Sequence, residues 1–147
     1  DGMALAREYK PRVMIDLATL TGACAVALGN RIAGLFGNEP GLVEALREAG
    51  RASGETAWPM PLFEPYFEML KSEVADFQSA GSRYGGAISA ALFLKQFVGQ
   101  TPWAHIDIAG PSRADKASPD TPAGATGFGA GLLLRYLRDL AAGGKRA

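Results

Sequence analysis

The chain has 147 residues, with 15 Lys and Arg against 15 Asp and Glu, so it carries no formal net charge. Neutrality gives no electrostatic reason to expect nucleic acid or an anionic membrane as a partner, and 48% hydrophobic with 20% charged residues excludes a disordered chain. A single cysteine, Cys24, excludes an internal disulfide; a single histidine, His105, excludes a Cys/His zinc cluster and any two-His metal motif.

Asp1 to Tyr9 places Met3, Leu5, Ala6 and Tyr9 near helical spacing, and Pro11 ends the run. The stretch has no initiator Met and no basic leader. It reads as the interior or tail of a helix and predicts a fragment that lacks its N-terminal part. Val13 to Leu17 is short, apolar and β-branched, which suits a buried strand of a sheet covered on both faces. Thr19 to Gly22 is a turn signal, and Ala23 to Leu28 is a short small-residue helix stopped by Gly29. Arg31 to Phe36 is a second strand.

Glu39-Pro40-Gly41 opens a helix with Leu42, Val43, Leu46 and Ala49 on one face and Gly50 or Gly54 near its stop. Two prolines keep Trp58 to Pro61 extended. Tyr66, Phe67, Met69 and Leu70 predict a helix over Glu64 to Ser72, and Val74 to Phe77 a short extended segment. Ser79 to Gly86 is a glycine-rich loop. It lacks the Lys-Ser/Thr ending of a phosphate-binding loop. Ala87 to Val98 is a helix, Trp103 to Ala109 a strand, Gly110 to Gly127 a long loop and Phe128 to Ala142 a last helix. No apolar run approaches the ~20 residues of a membrane span. Alternating strands and helices predict an α/β fold with a mixed, mainly parallel sheet covered by helices on both faces.

Ile15 to Ala23 is the segment most suggestive of chemistry. It is a strand ending in a small-residue loop and a helix, and in open α/β sheets ligands sit beyond the carboxyl ends of strands. A plain strand-to-helix turn with threonine capping satisfies the same pattern. His105 and Asp107 lie two apart, on one face of one strand. They fit an acid/base or metal pair, and they fit a hydrogen-bonded structural pair on a half-buried strand. Cys24 stands among small apolar neighbours and reads as a packing residue. A hydrolase built on Cys24, or on a serine with His105 and Asp107, lacks a nucleophile elbow.

Asp16 to Gly29 (DLATLTGACAVALG), Trp58 to Gly81, Gly85 to Val98, Pro102 to Gly110 (PWAHIDIAG) and Gly124 to Leu137 together resemble the leucyl aminopeptidases, or cytosol aminopeptidases. These are two-metal exopeptidases, and the likeness in order and spacing covers essentially the whole chain. It implies the C-terminal portion, residues 1–147, of a larger catalytic domain, cut after an Asn-Thr-Asp-Ala-Glu-Gly-Arg stretch that supplies metal ligands and a catalytic Arg. The two divalent ions (Mn or Zn), their bridging water and a catalytic Lys would then depend on segments upstream. No metal ligand or catalytic residue is expected in this chain.

What the resemblance leaves to these residues is the substrate wall. The Leu20 carbonyl and Gly22 amide would bind the substrate backbone. The Leu20 amide would help hold a bicarbonate, and Thr19, Gly22, Ala109 and Ser112 would line the pocket for the N-terminal side chain. Ser112 stands where some members have Met. The expected parent is a cytoplasmic homohexamer acting on peptides, with leucine-type N-termini preferred. A non-catalytic interaction or DNA-binding module of the same family is the alternative, and neutral charge speaks against DNA.

Overall fold

The computed structural model describes residues 1–119, 121 and 123–143. Its main sheet has four strands: β1 (Met14–Ala18), β2 (Ala33–Gly37), β3 (Ala57–Pro59) and β4 (Trp103–Asp107). Their spatial order is β1-β4-β2-β3. β1 runs parallel to β4 with Met14 opposite Trp103 and Ala18 opposite Asp107. β2 runs parallel to β3 and antiparallel to β4. The sheet is therefore mixed and mainly parallel, as the alternation of elements predicts.

Period-two alternation sorts the strands onto two faces. Ala33, Leu35, Ala57, Ala104 and Ile106 form one core with Leu42, Leu46 and Ala49 of α3 (Pro40–Ser53) and Leu132 and Tyr136 of α5 (Ala130–Gly143). The opposite face packs Phe36 against Cys24 of α2 (Gly22–Leu28) and Ala87 and Ala91 of α4 (Gly86–Lys95). Met14 and Trp103 meet Met3 and Ala6 of α1 (Gly2–Glu8) on that same side. Helices thus cover both faces.

Local chemistry fixes the boundaries. The Glu39 carboxylate accepts from the Gly41 and Leu42 amides to open α3, and Gly54, in the left-handed region at φ 78°, closes it. Glu55 follows at once and accepts from the Leu132 amide at 2.6 Å, which anchors the first turn of α5 to the end of α3.

Four expectations are corrected. Glu64–Leu70 is a 3-10 helix, closed by contacts such as Tyr66 N–H to the Phe63 carbonyl, rather than a longer α-helix to Ser72. Val74 to Phe77 is not a strand. The Ser72 hydroxyl accepts from the Val74 and Ala75 amides and curls the backbone, while Phe77 enters an aromatic cluster with Phe67, Phe93 and Phe97. Regular α4 ends at Lys95, and single turns continue to Val98. The long loop after β4 contains a small antiparallel ribbon, β5 (Arg113–Ala114) with β6 (Gly124–Ala125). Asp120 and Pro122 of that loop, and 144–147 at the end of the given sequence, lie outside the described residues.

Candidate functional site

The parallel pairing of β1 and β4 brings their carboxyl ends to the same edge of the sheet. Thr19 to Gly22 leaves β1 there and Ala109 to Ser112 leaves β4 there, so two segments 90 residues apart in sequence become neighbours. The contact is direct. Asp107, the last residue of β4, is 1% exposed. Its Oδ1 accepts from the Leu20 amide at 3.2 Å, the Ala109 amide at 3.1 Å and, at a longer 3.5 Å, the Thr21 amide. Its Oδ2 accepts from the Thr21 hydroxyl at 2.7 Å. Thr21 Oγ1 in turn accepts from the Cys24 amide at 3.0 Å and caps α2.

A cavity of about 700 Å³ opens beside this loop. Leu20, Gly22, Ala23 and Val26 form one wall, and the Ser79–Gly86 loop with Ser89 forms the other. Gly22 has nothing within 4 Å of where a Cβ would stand, so a side chain there would project into open space. Its N–H, the first of α2, makes no hydrogen bond among the described residues. A larger cavity of about 970 Å³ lies near Val13 and Pro102, at the amino ends of β1 and β4, with Leu42, Tyr136 and Leu140. Of its acids, Glu44, Glu48 and Asp139 are tied to Arg47 and Arg135, and Glu39 caps α3. In sheets of this kind ligands bind at the carboxyl ends, which favours the smaller cavity.

The structure brings Leu20, Thr21, Gly22 and Ala109 together. Thr19 is exposed at the start of the loop. Ser112 stands in the turn beyond Ala109, its N–H on the Ile108 carbonyl and its carbonyl accepting from Thr126 N–H. Neither reaches the 700 Å³ cavity, nor does Ala109.

His105 and Asp107 share a face, but each binds elsewhere. The strand that carries them is fully buried rather than half-buried, which forces each polar group to find its own partner. His105 Nδ1 lies 2.6 Å from Asp16 Oδ1, and the Trp103 indole N–H donates to Asp16 Oδ2 at 2.7 Å. Among the described residues His105 Nε2 is buried without a partner, and its ring stacks on Phe36. These contacts of the histidine thus lie within the interior of the sheet and its covering helices. Cys24 is likewise interior: its Sγ lies 3.9 Å from the Asp107 carbonyl, and a Cβ on Gly34 would come within 2.6 Å of that sulfur. Burial, reinforced by the Asp107 charge, pushes the thiol up to about 11, away from nucleophilic chemistry at neutral pH.

Among the described residues no group of three or more His, Cys, Asp or Glu is placed to hold a metal ion. Buried Asp107 and partly buried Asp16 have other occupations, Asp107 with backbone amides and Asp16 with His105 and Trp103. These residues do not fit a divalent metal pair. The Leu20 amide, assigned by resemblance to a bicarbonate, already donates to Asp107.

Comparison with known proteins decides the family. The model of the cytosol aminopeptidase family, catalytic domain, matches residues 1–134. The chain belongs to the cytosol aminopeptidase family. A probable cytosol aminopeptidase of Geobacter sp. (strain M21) is 54% identical over 138 residues, covering 94% of this chain and 28% of that protein. One from Roseiflexus castenholzii is 54% identical over 140 residues, covering 95% and 29%. The solved structure of a tomato leucine aminopeptidase mutant superposes with a TM-score of 0.87 at 44% identity, over 93% of this chain and 26% of that one. The chain thus spans less than a third of the length of the aminopeptidases it matches. Among its described residues no helix is long and apolar enough to cross a membrane.

In this segment of a cytosol aminopeptidase family member, the part played by Asp107 was not visible in the sequence. The sequence pairs Asp107 with His105, because spacing reveals a shared face and not a partner. The available signal was a carboxylate closing a buried strand, which must meet donors, and the adjacent parallel loop offers them.

Proposed function

We propose that this chain is the substrate-binding part of an aminopeptidase that releases N-terminal residues, leucine-type preferred, from peptides. The observation that carries the reading is the loop Leu20 to Gly22. It is fastened from behind by Asp107 and presents an unpaired Gly22 N–H to an open cavity. An extended peptide end needs such fixed backbone partners on one side and space for its side chain on the other. In this reading the Leu20 carbonyl and Gly22 amide hold the substrate backbone. Gly22 borders the space for the N-terminal side chain, whereas Thr19, Ala109 and Ser112, which the resemblance also assigns to that pocket, stand outside the 700 Å³ cavity.

The divalent metals of such an enzyme, Mn or Zn, would be held by side chains outside these 147 residues, as would its catalytic groups. Bicarbonate does not enter the reading, since its assigned donor is engaged by Asp107. The working protein is proposed to be cytoplasmic and homohexameric, with the present segment as the C-terminal portion of its catalytic domain.

Kinetics of the full-length enzyme test the reading. In Gly22→Leu the new Cβ stands clear of the fold by more than 4 Å and the side chain enters the cavity, so stability should change little. It fills the pocket and displaces the substrate from the amide. The expected result is a fall in kcat/KM for leucyl substrates of roughly 30- to 1000-fold. His105→Gln should lose stability and keep near-normal turnover per folded, metal-loaded molecule. Near-normal kcat/KM in Gly22→Leu, with turnover abolished in His105→Gln, would reverse the two assignments.

A further inference from the structure

We infer that Asp107 is a positioning residue for the substrate wall, acting through Thr21, a role that rests on the reading above of the Leu20–Gly22 loop. A buried carboxylate must be met by donors. Here the donors are the loop and turn themselves: the Leu20, Thr21 and Ala109 amides and the Thr21 hydroxyl. One side chain therefore ties the segment after β1 to the segment after β4.

The geometry has a directional consequence. In a trans peptide the N–H and C=O point opposite ways. A Thr21 N–H turned toward Asp107 sends the Leu20 carbonyl, which belongs to the same peptide unit, away from Asp107. The Thr21 hydroxyl completes the latch, donating to Asp107 Oδ2 while accepting from the Cys24 amide, and so fixes the first turn of α2 that carries Gly22. The orientation of both proposed substrate contacts is set from behind by this pair. Asp107 itself is buried and touches no substrate.

The test uses the full-length, metal-loaded enzyme and a leucyl amide, with rates normalised to folded protein. Asp107→Asn removes the charge and leaves the Thr21 hydroxyl without its acceptor. Thr21→Val removes that hydroxyl, and Thr21→Ser keeps it. The expected result is a fall in kcat/KM of about tenfold or more in Asp107→Asn and Thr21→Val, carried mainly by KM. Exchange of the Leu20 and Thr21 amides should quicken, and Thr21→Ser should recover most of the loss. A structural role alone would lower the folded fraction and leave KM per folded molecule where it was. If Asp107→Asn does not fold, the Thr21 pair decides. Wild-type KM in the folded Asp107 and Thr21 variants, with Gly22→Leu crippled, overturns the positioning role alone. Wild-type KM in Gly22→Leu as well overturns the substrate-wall reading and this inference with it.

Discussion

Cys24 shows how far a side chain's surroundings decide its chemistry. It stands one residue from the cavity lining, in the first turn of α2, a place where a thiol can be activated. Burial and the adjacent Asp107 charge work the other way and hold its proton to about 11. The sign of the linked stability follows. An unfolded chain ionises this thiol near its ordinary value of about 8.5, whereas the folded chain keeps it protonated. The contribution is complete below the ordinary value and is lost as pH rises through about 11. Denaturant midpoints of the full-length protein should therefore fall between these values, and Cys24→Ala should remove part of that fall. Identical alkaline profiles for the two proteins would contradict the assignment. The packing role of Cys24 was legible from its small apolar neighbours. The unshared partners of His105 and Asp107 were not, because a period of two gives faces and never names what lies across them.

Among the elements, β1 depends most on a few contacts. Among the described residues it pairs with β4 alone, and its strand positions beyond Met14 are only half buried. Asp16 clamps it from the side, accepting from the Trp103 indole and meeting His105 Nδ1. Asp16→Ala would leave both buried donors without an acceptor, at about 1–3 kcal/mol each. Asp16→Asn, which keeps an acceptor, should cost less. Equilibrium unfolding of the two variants checks the order; equal midpoints would mean that ladder hydrogen bonds alone hold β1. The strands and long helices were legible from periodicity. Val74 to Phe77 was not, because Phe77 alone is drawn inward, into an aromatic cluster assembled from separate elements, while Val74 stays exposed. The 3-10 character of Glu64–Leu70 was hidden for a related reason: spacings of three and four both place Tyr66, Met69 and Leu70 on one side.

For the whole molecule, the α/β class follows from the alternation of elements, but the strand order does not. No sequence pattern states that β4 inserts between β1 and β2, and this insertion puts the β1 and β4 carboxyl ends side by side. The site depends on it: Leu20 and Ala109 share one Asp107 oxygen only because their strands are parallel neighbours. The central claim is that the Leu20–Gly22 loop is where a peptide's N-terminal residue binds. A crystal structure of the full-length, metal-loaded enzyme with a non-hydrolysable leucyl peptide analogue tests it most directly. The account predicts the analogue's backbone within hydrogen-bond distance of the Leu20 carbonyl and the Gly22 amide, its leucyl side chain in the 700 Å³ cavity beside Gly22. An analogue seated in the larger cavity near Leu42 and Tyr136, touching neither Leu20 nor Gly22, would contradict it.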